Sequence, residues 1–169
     1  MLPNFDNLLI VMRFSGEHAV TLTDKNRLVI PLRLRENLPI QAQDQDFYLW
    51  VHKGYVQIMP TEYLASLEES LAKLTIFNAD VRKFSRNLYA QIIKLSPDSQ
   101  WRLTLPTQVL DALKVNNISK NTKPQLVVIG TGDSMEIWRQ EEWDLTRQSL
   151  SLESDAISDR IAYLLMKLK

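Results

Sequence analysis

The segment Arg27-Leu28-Val29-Ile30-Pro31 recurs 75 residues later as Arg102-Leu103-Thr104-Leu105-Pro106, and this repeat decides the fold. In each copy apolar residues alternate after an arginine, which predicts a strand that ends at the proline. Each copy then leads into a short helical pattern and two further strand patterns, at 47–51 and 56–59 and at 126–129 and 135–138. Two copies are too few for a solenoid. We therefore predict two equivalent units, related by a pseudo-two-fold axis within one chain.

Composition limits the classes of protein that this chain can belong to. It has 169 residues, of which 45% are hydrophobic, and that proportion is ordinary for a folded domain. Cysteine is absent, which excludes disulfides, thiol nucleophiles and cysteine metal sites. The first twelve residues lack the layout of a signal peptide, and no apolar run is long enough to span a membrane. A cytoplasmic protein without membrane contact is expected.

The formal net charge is zero, from 20 basic and 20 acidic residues. A nucleic-acid binder needs local positive charge, so the distribution matters more than the total. Basic residues cluster around each copy of the repeat: Lys25, Arg27, Arg33 and Arg35 at the first, and Arg82, Lys83, Arg86, Lys94 and Arg102 at the second.

The first half predicts a strand over 14–22, a turn at 24–26 and a return strand of that hairpin from Arg27 to Ile30. A short helix is expected over 32–38, with Leu32, Leu34 and Leu38 facing inward. A second hairpin turns at Lys53-Gly54. A long helix opens at Thr61, with an apolar stripe at Leu64, Leu67, Leu71 and Leu74.

The second half repeats this plan after a helix that Asn78 caps. It predicts a strand at 92–95, a turn at 97–100, the Arg102 strand and a short helix over 107–114. A polar connector over 116–124 is expected to be a loop. A final helix begins near Glu141 and continues in pieces to Leu168, with an interruption at 150–155.

Catalysis has little support in the sequence. The chain has two histidines, His18 and His52, and neither lies near a nucleophile or carboxylate in a recognised spacing. No set of converging metal ligands is visible. The segment Gly130-Thr131-Gly132 lacks the lysine and the third glycine of a phosphate loop, so it is interpreted as a hairpin turn. No enzymatic activity, metal or cofactor is expected.

The turn before the second copy carries the more informative chemistry. Asp98 lies four residues ahead of Arg102, where its carboxylate can accept turn N–H groups and hold the guanidinium in one pose. The alternative is a surface ion pair of little energetic value. The recurrence of arginine at the same place in both copies favours a role for it, because a surface arginine has no reason to recur by chance.

With these motifs the chain resembles the MraZ family of bacterial transcriptional regulators. The matching features are Phe14-Ser15-Gly16, the two repeat copies, the segment 98–102, and Glu136-Ile137-Trp138 followed by Trp143. The resemblance implies an α+β fold, mainly β with helices, in which two tandem AbrB-like swapped-hairpin units form a pseudo-two-fold small barrel flanked by helices. The implied boundaries are 13–62 and 91–147 for the two units, 63–90 for a central helical segment and 148–169 for a C-terminal helix.

Two departures from the family pattern affect the turns. The first copy has Thr23 in place of the family's aspartate, with Asp24 displaced by one residue. The glycine before each arginine is replaced by Asn26 and Trp101, and tryptophan adopts positive φ poorly. Two explanations are open for Trp101: a second turn of different shape, or a contact of its ring with a partner.

The resemblance implies a sequence-specific DNA-binding transcriptional regulator that assembles into rings. Its implied partner is double-stranded DNA, at direct repeats in the promoter of the division and cell-wall gene cluster, which places it at the nucleoid. The implied DNA-binding residues are Lys25, Asn26, Arg27, Trp101 and Arg102, with Thr23, Asp24 and Asp98 supporting the turns. The alternative is an oligomeric structural module that has weakened or lost DNA binding, and an enzyme is a third, less supported class.

Overall fold

The structure, a computed structural model, describes residues 14–23, 25–36, 38, 46–74, 78–116 and 124–167. The predicted connector at 116–124 and the predicted turn residue Asp24 therefore lie wholly or mostly outside the described residues. The described elements are β1 (Glu17–Thr21), β2 (Arg27–Val29), α1 (Leu32–Arg35), β3 (Phe47–Val51), β4 (Tyr55–Pro60), α2 (Thr61–Lys73), α3 (Ala79–Gln91), β5 (Ile92–Leu95), β6 (Arg102–Thr104), α4 (Thr107–Ala112), β7 (Gln125–Gly130), β8 (Met135–Arg139) and α5 (Gln140–Lys167).

The strands pair across the two halves of the chain. A six-stranded antiparallel sheet has the order β1-β7-β8-β4-β3-β5, and β2 pairs with β6 in a separate two-stranded ribbon. The counterparts in the two halves are β1 and β5, β2 and β6, β3 and β7, and β4 and β8. Exchanging each strand with its counterpart leaves both strand orders unchanged, as a pseudo-two-fold axis requires. Leu28 lies opposite Leu103, and Gln57 opposite Glu136, at the centres of this symmetry. The two halves therefore share one sheet.

The α+β class with a mainly antiparallel sheet and helices is confirmed. The predicted small barrel is not confirmed, because the described strands form an open sheet and a ribbon. The prediction that β2 is the return strand of a local hairpin is wrong, since β1 pairs with β7 and β2 pairs with β6. Alternation along a strand indicates its buried face but carries no information about which strand lies beside it.

The main core lies between the six-stranded sheet and the layer made by the ribbon, α1 and α4. Leu28 and Leu103 of the ribbon are fully buried there, together with Leu34 of α1 and Val109 of α4. Burying each such leucine contributes about 1.5–3 kcal/mol. Because both halves supply this core, neither half can keep it without the other. Leu32 was predicted to face inward but is 58% exposed, because α1 is a single turn that buries only Leu34.

Helices α2 and α3 pack on the opposite face of the sheet. Asn78 caps α3 as predicted, and its side chain accepts a hydrogen bond from Asp80 N at 2.9 Å. The predicted stripe of α2 is buried only at Leu64, and Leu74 lies beyond the last turn and is exposed. The prediction of an interruption in the last helix is wrong, since α5 runs unbroken from Gln140 to Lys167.

A row of aromatic rings crosses the face of the sheet on which α2 and α3 pack. His52 stacks on Tyr55 at 4.5 Å between centroids, and Tyr55 stacks on Trp138 at 4.6 Å. Trp50 continues the row from His52 towards Phe84 of α3, with an edge contact of 5.6 Å. These ring contacts hold α3 against the sheet. They stabilise the fold by more than the burial of their apolar area alone. His52 is thus a packing residue, at a place where a charge would be costly.

Burial lowers the pKa of the His52 imidazole below its ordinary value of 6.5, although the Gln57 side chain and the Glu136 carboxylate act to raise it. The unfolded chain therefore takes up the proton first as the pH falls. The contribution of neutral His52 to stability is fully present above pH 6.5 and is lost as the pH drops from 6.5 towards the lower folded-state pKa. We expect His52→Phe to remove this part of the acid sensitivity, measured as melting temperature against pH. A variant whose melting temperature falls as steeply as that of the unaltered chain would contradict the expectation.

Candidate nucleic-acid interface

The turns that precede the two arginines have the same backbone hydrogen bonds. In the first turn, Thr23 N donates to Arg27 O at 3.0 Å and Asn26 N donates to Thr23 O at 2.9 Å. In the second, Asp98 N donates to Arg102 O at 3.1 Å, and the Trp101 amide donates to Asp98 O at 2.8 Å. The duplication of sequence is therefore also a duplication of turn geometry.

Asn26 and Trp101 both adopt the left-handed conformation, with φ of 55° and 59°. The explanation that Trp101 gives the second turn a different shape is therefore wrong. A bulky residue in this region costs about 1–2 kcal/mol, so surrounding contacts must hold it there. The Trp101 ring packs against the core, and the Arg35 guanidinium lies 5.9 Å from its centroid. These contacts within the chain hold the left-handed conformation, and a contact of the ring with a partner stays a prediction.

Asp98 organises the second turn with both of its carboxylate oxygens. Oδ1 accepts hydrogen bonds from Gln100 N at 2.9 Å and from Arg102 N at 3.0 Å. Oδ2 accepts from Arg102 Nε at 2.7 Å, which fixes the guanidinium next to the turn. Desolvation acts to raise the pKa of this carboxyl, but the hydrogen bonds from Arg102 and Gln100 outweigh it and hold the pKa below its usual value. The carboxylate therefore stays ionised at neutral pH.

Thr23 takes the place of Asp98 in the first turn. Its hydroxyl oxygen accepts a hydrogen bond from Arg27 N at 3.2 Å, the counterpart of the bond from Arg102 N to Asp98. A hydroxyl cannot also hold a guanidinium as a carboxylate does. Arg27 accordingly forms no ion pair with any residue that the structure describes. The two turns thus differ: Asp98 binds the guanidinium of Arg102, whereas the Thr23 hydroxyl binds only the backbone N–H of Arg27.

The ribbon brings both arginines to one surface. Arg27 lies opposite Thr104 and Val29 opposite Arg102, while the alternate residues Leu28 and Leu103 point into the core. We call the outward set Arg27, Val29, Arg102 and Thr104 the ribbon face. Val29 is 40% exposed beside Arg102. Sequence reasoning missed Val29 and Thr104, although their spacing of two from each arginine was the signal that they share its face.

Lys25 is exposed on the first turn, next to Asn26, so three of the sequence-predicted residues lie at that end of the ribbon. The structure thus brings together Lys25, Asn26 and Arg27 at one end, and Trp101 and Arg102 at the other. Asp24 lies outside the described residues. Within the described residues no three His, Asp or Glu side chains are placed to hold a metal ion.

Among the helices that the structure describes, none is both long and apolar enough to cross a bilayer.

The segment 131–134 connects β7 to β8 as a hairpin turn, as predicted for the glycine pair. His18 Nε2 lies 3.1 Å from Ser15 O, in a local contact at the start of β1.

Comparison with known proteins identifies relatives over most of the chain. The family described as "MraZ protein, putative antitoxin-like" matches residues 88–163. A protein named "Transcriptional regulator MraZ" from Leuconostoc mesenteroides is 30% identical over 86% of this chain and 94% of its own length. Proteins of the same name from Clostridium tetani and Moorella thermoacetica are 33% and 27% identical, over 78% and 88% of this chain and 84% and 96% of their own lengths.

Proposed function

This chain belongs to the MraZ family, and on that premise we propose that it is a transcriptional regulator that binds double-stranded DNA through the ribbon face. The observation that carries the proposal is the ribbon itself, a two-stranded antiparallel element with an arginine on each strand. The major groove of DNA, about 12 Å wide, admits a two-stranded β-ribbon. Arginine can donate two parallel hydrogen bonds to a guanine edge or to a phosphate.

Each residue of the proposed site has a role that fits its chemistry. Arg27 and Arg102 contact base edges, and Lys25 contacts a phosphate. Asn26 and Trp101 give the turns their left-handed geometry, which Thr23 and Asp98 support. Asp24 is assigned the same supporting role from sequence alone. Val29 adds an apolar group that suits a thymine methyl.

The zero net charge is compatible with DNA binding if several protomers act together. We propose a homo-oligomeric ring that sets several ribbon faces along promoter direct repeats, upstream of the division and cell-wall genes. Each added protomer then raises affinity through effective concentration, and each neutralised phosphate adds salt dependence. This function places the protein in the cytoplasm at the nucleoid. We further infer that 13–62 and 91–147 are AbrB-like swapped-hairpin units of a small barrel, with 63–90 and 148–169 as helical additions.

An oligomeric structural module without DNA binding is the second candidate. Two observations favour it. Arg102 already has a carboxylate partner in Asp98, and the segment 148–167 of α5 exposes many apolar residues. The two candidates differ in their response to polyanions. A module held together by helix contacts has no reason to bind heparin or DNA in a salt-dependent way.

A mobility-shift titration separates the two candidates. The probe is the promoter upstream of this gene in its own organism, measured at low and high salt beside a scrambled duplex of equal length. We expect a shift that prefers the promoter and weakens steeply with salt. A chain that assembles normally but shifts neither duplex at low salt would establish the structural module instead.

Lys25→Ala gives a second prediction at the same site. If Lys25 contacts a phosphate, its loss weakens binding to promoter and scrambled duplexes alike and reduces the salt slope by about 1. Lys53→Ala, in the exposed turn between β3 and β4, removes the same charge far along the chain and serves as the control. A selective loss for the promoter alone would assign Lys25 to base contact and contradict this role.

A further inference from the structure

Helix α5 is attached to the domain by its first two turns. Lys114 Nζ lies 2.9 Å from Glu142 Oε1, Arg147 lies 3.3 Å from Glu17, and the Trp143 ring lies 5.8 Å from that of Trp138. From 148 to 167 every residue is exposed except Ile157, which is half-buried. At 1.5 Å per residue this distal part extends about 30 Å from the point of attachment.

The distal part carries an apolar stripe with the spacing of a helix pair. Leu150, Ile157 and Leu164 lie seven residues apart, and Ile161 follows Ile157 by four. Leu150, Ile161 and Leu164 are 46%, 49% and 54% exposed. A seven-residue apolar repeat keeps one face of a helix against another helix. An isolated helix of this length is marginal in water, so a partner along the stripe would stabilise it.

The charges beside the stripe select the partner and its direction. Glu153 and Arg160 each lie on the same flank, at the heptad position usually written g. In an antiparallel pair of identical helices the g positions face each other, so Glu153 of each copy meets Arg160 of the other. In a parallel pair they would face Ser158 and Leu165 instead, with no opposite charge.

We propose that the distal part of α5 is an interface for a second copy of this chain, paired antiparallel through Leu150, Ile157 and Ile161. The contact is two-fold, so one pair of surfaces buries the stripe of both copies and makes the Glu153–Arg160 contact twice. The Ser154 side chain faces Ile157 in this register, and its small size allows the helices to approach closely. The interface adds to the proposed oligomer but does not depend on DNA binding.

Charge reversal tests the direction of pairing. In the full chain, Glu153→Arg places like charges at both contacts, and we expect association about tenfold weaker by analytical ultracentrifugation. Adding Arg160→Glu to the same chain restores opposite charges and should restore association. Asp155→Arg makes the same change of charge on the opposite side of α5 and is the matched control. Equal weakening by the control, or no recovery in the double variant, would overturn the proposal.

Cysteine cross-linking gives a readout that other contacts between protomers do not affect. The chain has no cysteine, so single introduced thiols are unambiguous. Treated with a short bismaleimide cross-linker, a mixture of Glu153→Cys and Arg160→Cys chains should form covalent dimers in much higher yield than either variant alone. Equal yields in the mixture and in the separate variants would overturn the antiparallel arrangement. Mobility shifts on the same samples are expected to survive, so failure of this interface and failure of DNA binding can be distinguished.

Discussion

Gly130→Ala is expected to destabilise the fold by about 3 kcal/mol or more, as judged by urea unfolding. A Cβ on residue 130 would lie 2.3 Å from Ser15 N, 2.4 Å from Phe14 C and 2.6 Å from Ser15 Cα. All three are backbone atoms, so no side-chain rotation can relieve the overlap. Gly130 N also donates to Gly16 O at 2.9 Å, which requires the two backbones to stay close.

The damage would spread because the displaced segment carries a core residue. Phe14 is 1% exposed, and its backbone exchanges two hydrogen bonds with Gly132, at 2.8 and 2.9 Å. Moving residues 14–16 outward breaks these bonds and withdraws a phenylalanine, whose full loss from a core costs about 3–5 kcal/mol. The Phe14-Ser15-Gly16 motif thus fastens the beginning of the described chain to the turn between β7 and β8.

Gly54→Ala is the control for this prediction. Gly54 has a φ of +97° in the turn between β3 and β4, but a Cβ there would meet nothing within 4 Å. Its replacement should cost only the conformational strain, about 1 kcal/mol. If the two variants lose equal stability, close approach of residues 14–16 is not what requires glycine at 130.

The sequence predicted the order of elements because their signals are local. Alternation after Arg27 and Arg102, the Lys53-Gly54 turn and the Asn78 cap are each contained in a few residues. Strand partners are not local. The pairing of β2 with β6 depends on burying Leu28 against Leu103, and these residues lie 75 positions apart. Only the two-copy symmetry and the resemblance to swapped-hairpin units indicated that such pairing was available.

Local composition also misled in two places. The segment 150–155, with its serines and acidic residues, predicted a break in α5, but Ser149 Oγ donates to Glu153 Oε1 at 3.1 Å along the helix surface. Polar residues that satisfy one another along the helix need not end it. Trp101 was expected to resist positive φ, yet its ring packing and the Asp98 hydrogen bonds hold that conformation. Tertiary contacts decide both cases, and neither is visible in a short window of sequence.

The sequence identified which residues belong to the candidate site, but not how these residues are arranged in space. The recurring arginine identified Arg27 and Arg102, and the spacing from Asp98 anticipated the bond to Arg102. The sequence did not show that the two arginines would share one face of a two-stranded ribbon, because that depends on long-range pairing. It also did not show that, among the described residues, only Arg102 would be held by a carboxylate.

The largest functional loss is expected from Arg27→Ala combined with Arg102→Ala. Each arginine that engages a guanine is worth about 1–3 kcal/mol, so the single variants should lose roughly 5- to 150-fold in promoter affinity and relax sequence preference. The double variant should bind promoter and scrambled duplexes equally weakly. Both side chains lie outside the core, so the fold should remain intact.

The two single variants should also differ from each other in promoter affinity, because Asp98 holds the guanidinium of Arg102 in place. Arg102 is fixed by Asp98 at 2.7 Å, so it loses little conformational freedom on binding. Arg27 forms no ion pair within the described residues, and we expect the DNA to order its side chain. We therefore expect Arg102→Ala to lose more promoter affinity than Arg27→Ala.

Mobility shifts report affinity and light scattering reports oligomer mass on the same samples. Arg86→Ala on α3 removes one positive charge away from the ribbon and is the control. Unchanged DNA affinity with a collapsed oligomer would show that the arginines hold protomers together and do not contact DNA.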